Sequence, residues 1–158
     1  MPNEATISDL MNRAKLVCVA PDTTVTNASR AMLERGVGAV LVTDRADPGR
    51  ILGIMTERDI NYRLIAAGRD AMVTMVAEIM TRNPKGMPPE TPVSVALKVM
   101  ARSGYRHLPV VEDDKAIGIV SITDVFKESR RKLGHDMQMM ERFIMGDLTD
   151  DERPETAH

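Results

Sequence analysis

The chain has 158 residues, of which 43% are hydrophobic and 28% charged, with a net charge of −2 and one cysteine. These values suit one globular unit or two small ones, and they exclude an intrachain disulfide framework and the basic footprint of a nucleic-acid binder. Aromatic residues make up only 3%, with no Trp, too few for base-stacking platforms.

No apolar run approaches the ~20 residues that span a bilayer. The N-terminus, MPNEATISDLMNRAK, is polar where a signal peptide is basic and then apolar. With the lone Cys18 this predicts a cytoplasmic protein with no membrane and no nucleic-acid partner.

Residues 1–6 read as a loose end, and residues 7–11 as a short helical turn with apolar positions 7, 10 and 11. Residues 16–19 form a short apolar strand closed by Pro21. Thr24 caps a helix with Val25, Ala28, Met32 and Leu33 on its apolar face, and Gly36 ends it. Residues 37–42 are β-rich, 43–50 form a turn, and 51–55 form the next strand. Thr56 then opens a helix over 57–67 that ends at Gly68.

The same order returns. Residues 76–80 echo 7–11 at an offset of 69. Thr91 is the expected cap of the next helix, with Pro92 at its first position. Val93, Ala96, Met100 and Gly104 stand 68 residues after Val25, Ala28, Met32 and Gly36. Strands over 107–111 and 116–120 flank the turn 112–115, and Ser121 opens a helix running to about Leu133. The offset falls to 65 after this turn, which is three residues shorter than its counterpart; turns absorb such changes. The expected organisation is a first repeat over 1–70, a second over 71–133 and a C-terminal segment over 134–158. In that segment a Met-rich helix is expected over 136–146, for packing or a subunit contact, followed by an acidic tail. A unit of about 60 residues is marginal alone, so the two copies are expected to share a core about a pseudo-twofold axis.

The most informative stretch is GIMTERD (53–59), which returns as GIVSITD (118–124). In each, a glycine-started strand breaks into a helix at a hydroxyl residue, Thr56 or Ser121, and a carboxylate follows three positions on, Asp59 or Asp124. One reading is a capping box, in which hydroxyl and carboxylate satisfy backbone N–H groups. The other is a ligand site. A helix N-terminus favours phosphate, a hydroxyl adds a donor, and a carboxylate one turn away accepts from ribose hydroxyls. The preceding glycine permits close approach of the backbone to a ligand. Such a set suits a ribonucleotide.

Taken together, the openings DLM (9–11) and EIMT (78–81), the strand RHLPV (106–110) and the two Gly-x-x-Thr/Ser-x-x-Asp endings resemble a tandem pair of CBS domains, the cystathionine-β-synthase modules. Residues 55–63 and 76–84 are similar to bacterial stand-alone members. The resemblance implies an α/β (α+β) fold of two repeats, each β-α-β-β-α with a short leading helix. It also implies a homodimer and a regulatory ligand, AMP, ADP, ATP or NAD, with no required cofactor. By the family pattern Asp59 and Asp124 hold the ribose, and Thr56 and Ser121 the phosphate. Strand backbone lines the adenine, which points to Cys18, Val19, Gly38 and Ala39 in one site and Gly86, Met87, His107 and Leu108 in the other. Arg58 and Arg106 either supply charge to phosphates or remain solvated. Gly38-Ala-Val-Leu aligns with Arg106-His-Leu-Pro, so the two sites are expected to differ.

His107 reads as a core or rim residue and Cys18 as a small buried one. No metal-ligand spacing or catalytic constellation stands out. The expectation is a non-catalytic adenine-nucleotide sensor acting on an unidentified partner protein. The alternative is a dimerisation scaffold in which both boxes are only caps.

Overall fold

The computed structural model describes residues 4–133. The Met-rich helix and the acidic tail expected over 134–158 lie outside them. Helix α1 (Ile7–Leu10) opens on a capping box in which the Thr6 N–H donates to the Asp9 carboxylate at 2.8 Å. After a 3-10 turn at Arg13–Lys15 comes the edge strand β1 (Cys18–Val19), shorter than expected because only two of its residues find partners. Cys18 is exposed there, not buried as its type suggested.

Helix α2 (Val25–Arg35) starts where Thr24 Oγ1 accepts the Asn27 N–H at 3.2 Å, and it stops at Gly36, whose φ of 63° an L side chain rarely adopts. Val25, Ala28 and Met32 are buried beneath it. Leu33, expected on the same face, is 83% exposed, since one further residue turns about 100° away from the core.

Strands β2 (Ala39–Thr43) and β3 (Ile51–Thr56) pair antiparallel. The helix expected over 57–67 is instead a single α turn, α3 (Glu57–Asp59), that widens into a π-helix over Ile60–Ile65. There the Ala66 N–H reaches back five residues to the Asn61 carbonyl at 3.0 Å. This turn carries Arg63, whose Nη1 donates to the carbonyls of Ile79 and Met80 at 3.1 and 2.9 Å.

Helix α4 (Val76–Ile79) and strand β4 (Thr81–Arg82) lead into the second half. Helix α5 (Val93–Ser103) is capped by Pro92, not by Thr91 as expected. Thr91 is turned away because its hydroxyl donates to the Pro88 carbonyl at 2.7 Å, and the Ser94 N–H is satisfied instead by the Glu4 carboxylate at 2.9 Å. Strands β5 (His107–Glu112) and β6 (Lys115–Ser121) form a hairpin. Asp113 and Asp114 take φ of 50° and 61° at its tip, the positive-φ pair of a tight turn. Helix α6 (Ile122–Leu133) follows.

One sheet has the order β1-β2-β3-β4, with β1 and β2 parallel; β5 and β6 form the other. Met87 makes a parallel bridge to Val110, as Cys18 does to Leu41, so a single residue stands in for β1 in the second repeat.

The leading segments are exchanged. Val76, Ile79 and Met80 of α4 fill the core of the first repeat, with Val25, Val40 and Met55. Ile7 of α1 is fully buried in the core of the second, with Met100, Leu108 and Val120. Backbone bonds fix both crossings: the Ile7 N–H donates to Thr91 O at 2.9 Å, and the Val76 N–H to Thr23 O at 2.8 Å.

The exchange accounts for two glycines of the repeated stretch. A Cβ on Gly53 would collide with Met80 Sδ and lie 2.9 Å from the Thr81 carbonyl. One on Gly118 would lie 2.7 Å from Met11 Sδ. Met80 and Met11 are equivalent residues of the two leaders. The glycines expected to admit a ligand therefore admit a methionine from the exchanged segment.

Candidate ligand-binding clefts

Both boxes form. In α3 the Asp59 Oδ2 accepts from the Thr56 N–H at 2.9 Å and from its hydroxyl at 3.1 Å, while Thr56 Oγ1 accepts the Asp59 N–H at 3.3 Å. At the start of α6 the Asp124 Oδ2 accepts from the Ser121 N–H at 3.0 Å and its hydroxyl at 2.8 Å, and Ser121 Oγ accepts the Asp124 N–H at 3.2 Å. The first helical N–H is also used: Glu57 donates to Gly38 O at 3.1 Å, and Ile122 to Arg106 O at 2.8 Å. The capping reading is thus geometrically satisfied twice.

The caps nonetheless stand at the mouths of two clefts, of about 790 and 850 Å³, within the range of small-molecule sites. In the first cleft Thr56 and Asp59 of one repeat face Arg106, His107 and Leu108 of the other. In the second, Ser121 and Asp124 face Gly38 and Ala39. Each cleft therefore joins the helix start of one repeat to the strand start of its partner. Arg58 lines the first cleft, its guanidinium 5.4 Å from the centre of the Tyr62 ring. Cys18, Val19, Gly86 and Met87 line neither. Met87 is buried in the second core and Val19 packs against the first.

The second oxygens of the two aspartates differ. Asp59 is nearly buried, and its Oδ1 accepts the Thr81 hydroxyl at 3.4 Å and stands 3.8 Å from Arg63 Nε. Asp124 is half-buried, and its Oδ1 has no partner among the described residues. Asp59 thus has partners on both oxygens, and Asp124 keeps one oxygen open to a diol.

Further residues line the clefts that the motif did not single out. Thr81 and Pro84 border the first, and their counterparts 69 residues earlier, Asn12 and Lys15, border the second. The 69-residue offset of the leaders was the available signal. Tyr105, beside Arg106, and Lys85 complete the wall of the first cleft.

Four residues, Gly38, Glu57, Arg106 and His107, line both clefts. His107 Nδ1 is buried without a hydrogen-bond partner. Burial pulls the imidazole below its ordinary pKa of 6.5, against the upward pull of Glu57 and Asp124, and Arg106 adds to the lowering. The unfolded state therefore holds more protons than the folded one between the depressed value and about 6.5. This group's share of stability is complete above about 6.5 and falls as pH drops through that window. His107→Gln is expected to flatten that part of the slope, read from denaturant midpoints at about pH 5 and about pH 7.5.

Two segments, 7–66 and 76–131, match the family model of the CBS domain. The chain is 35% identical over 150 residues to the Arabidopsis thaliana CBS domain-containing protein CBSX3, mitochondrial, covering 89% of this chain and 72% of that one. It spans only about 20% of the length of some other Arabidopsis relatives that it matches. Among solved structures, an uncharacterized conserved protein from Pyrococcus horikoshii superposes with a TM-score of 0.74 at 34% identity, over 85% of this chain and 99% of that one. A CBS domain protein from Pyrobaculum aerophilum complexed with AMP gives 0.70 at 28%, over 76% and 89%. No helix among the described residues is long and apolar enough to cross a membrane. The exchanged leaders, the twice-formed Thr/Ser-x-x-Asp box and both matched segments agree: the chain belongs to the CBS domain family and carries a pair of these domains.

Proposed function

We propose that this CBS pair is a non-catalytic regulatory module that binds an adenosine-type ligand, AMP, ADP, ATP or NAD, in the clefts between its repeats. The observation that carries this reading is the placement of Asp59 and Asp124, each at a helix start that opens into a cleft walled by the opposite repeat. A ligand there touches both repeats. It stabilises the arrangement it fits best and so changes the surface offered to a partner protein. The AMP complex of the Pyrobaculum relative supports the ligand class. Asp124 holds the ribose through its open Oδ1, and Ser121 stands beside the phosphate.

The test is thermal unfolding of ligand-free protein against AMP, ADP, ATP, NAD and S-adenosylmethionine. A ligand at ~100 times its dissociation constant adds ~2.7 kcal/mol of stability. Asp124→Ala alone removes the carboxylate half of the box and costs about 1 kcal/mol without any ligand, the net worth of a hydrogen bond. The readout is therefore the ligand-induced increment, which the substitution is expected to abolish at that cleft. Absence of an increment with every ligand would leave the scaffold reading, in which the boxes serve only as caps.

Self-association belongs to the same proposal. Tyr62 and Ile65 at the end of the first repeat and Met72 and Val73 just beyond it are 64–69% exposed, a set of apolar side chains suited to a subunit contact. Sedimentation at micromolar concentration is expected to give a homodimer; a monomer there contradicts it.

A further inference from the structure

The two clefts are similar in size and related by the repeat, yet their charges differ. The first is lined by Arg58, Arg63, Lys85 and Arg106 against Glu57 and Asp59, a balance of plus two. The second is lined by Lys15 and Arg106 against Glu57 and Asp124, a balance of zero. Of the four cations in the first cleft only Arg63 is tied up, on Asp59 and on the carbonyls of Ile79 and Met80. Arg58, Lys85 and Arg106 form no ion pair among the described residues. Arg58 instead lies over the Tyr62 ring, which holds a guanidinium without neutralising it.

The aspartates differ in the opposite sense. Asp59, in the cationic cleft, has both oxygens engaged by Thr56, Thr81 and Arg63. Asp124, in the neutral cleft, keeps one oxygen unpartnered among the described residues. The first cleft is thus equipped for phosphate charge and poorly equipped for a sugar diol, and the second is the reverse.

We propose, on the basis of the adenosine-ligand reading above, that the clefts sort ligands by phosphate charge. The Asp59 cleft takes nucleoside di- and triphosphates, held chiefly by Arg58, Lys85 and Arg106. The Asp124 cleft takes the nucleoside or its monophosphate, held chiefly through the ribose. Arg106 lines both, so two strongly anionic ligands compete for one guanidinium.

The test is calorimetric titration of the full chain with adenosine, AMP, ATP and inorganic tripolyphosphate at low ionic strength without divalent cations. Native protein and Arg58→Ala/Lys85→Ala are compared, with Asp124→Ala as the counterpart. Both cations are exposed, so the double substitution leaves the cores intact. It is expected to weaken ATP and tripolyphosphate by about 10- to 100-fold, equivalent to one or two charge-assisted hydrogen bonds, and to leave adenosine and AMP within about twofold. Asp124→Ala is expected to do the converse. Rising salt weakens ATP more steeply than AMP. Equal losses of ATP and AMP in the Arg58/Lys85 variant, or no loss of either, overturn the sorting while leaving adenosine binding in place. If the native chain binds none of the three adenosine compounds, the underlying reading fails as well.

Discussion

Replacing Ile7 with Ala is expected to destabilise the protein by about 2–5 kcal/mol, the range for emptying a fully buried aliphatic site. Judged by its place in the chain, Ile7 opens the first repeat near the N-terminus, where truncation is usually mild. Its side chain is nevertheless fully buried in the second core, and its N–H is bonded to Thr91 O. Chemical denaturation followed by circular dichroism measures the effect. A loss under about 0.5 kcal/mol, typical of an exposed site, contradicts the exchanged arrangement. Ile79→Ala is the mirror experiment on the first core. By the same logic a fragment of residues 1–70 lacks Val76, Ile79 and Met80 from its core and is expected not to fold.

The second large effect concerns the equivalent glycines. Gly53→Ala drives a methyl against Met80 and within 2.9 Å of the Thr81 carbonyl. That carbonyl belongs to β4, which is paired to β3 through Ile54 and Thr81, so it cannot retreat without breaking the ladder. The expected cost is about 1–3 kcal/mol, the range for overpacking. At Gly118 the obstacle is the Met11 side chain, which swings aside more easily. Gly118→Ala is therefore expected at about 1 kcal/mol or less, the lower end of that range. Equal costs at the two sites would mean that the backbone contact at Gly53 is not the deciding one.

The sequence recorded the repeat well, because its evidence is local. Val25, Ala28 and Met32 recur as Val93, Ala96 and Met100, and each trio lies buried where the 3.6-residue period placed it. Capping chemistry was legible for the same reason: Thr56 with Asp59 and Ser121 with Asp124 close boxes within three residues. Helix starts proved less secure where a competing partner existed. Thr91 lost its cap role to a bond with Pro88, and Glu4 took over the Ser94 N–H from 90 residues away.

The exchange of leaders was not legible. A short apolar segment such as 7–11 carries the period of a helix but no mark of which core it fills. The composition of the clefts follows from that exchange. Thr81 and Lys85 reach the first cleft because α4 packs on the first repeat, so the cleft draws on four separated stretches. At Met87, where the family pattern points to the backbone, the side chain sits in the second core. The π-helical turn left no signal either, since Ile60–Ile65 has the composition of an ordinary helix.

The most direct test of a ligand held between the repeats is the stoichiometry and affinity of AMP, measured by titration calorimetry on native protein, Asp59→Ala, Asp124→Ala and the double substitution, each checked for native circular dichroism. The account predicts binding to the native chain, a loss of at least about tenfold in Asp124→Ala, equivalent to one hydrogen bond to a charged group, and a smaller change in Asp59→Ala. Unchanged AMP affinity in the folded double variant contradicts it and reduces both boxes to helix caps.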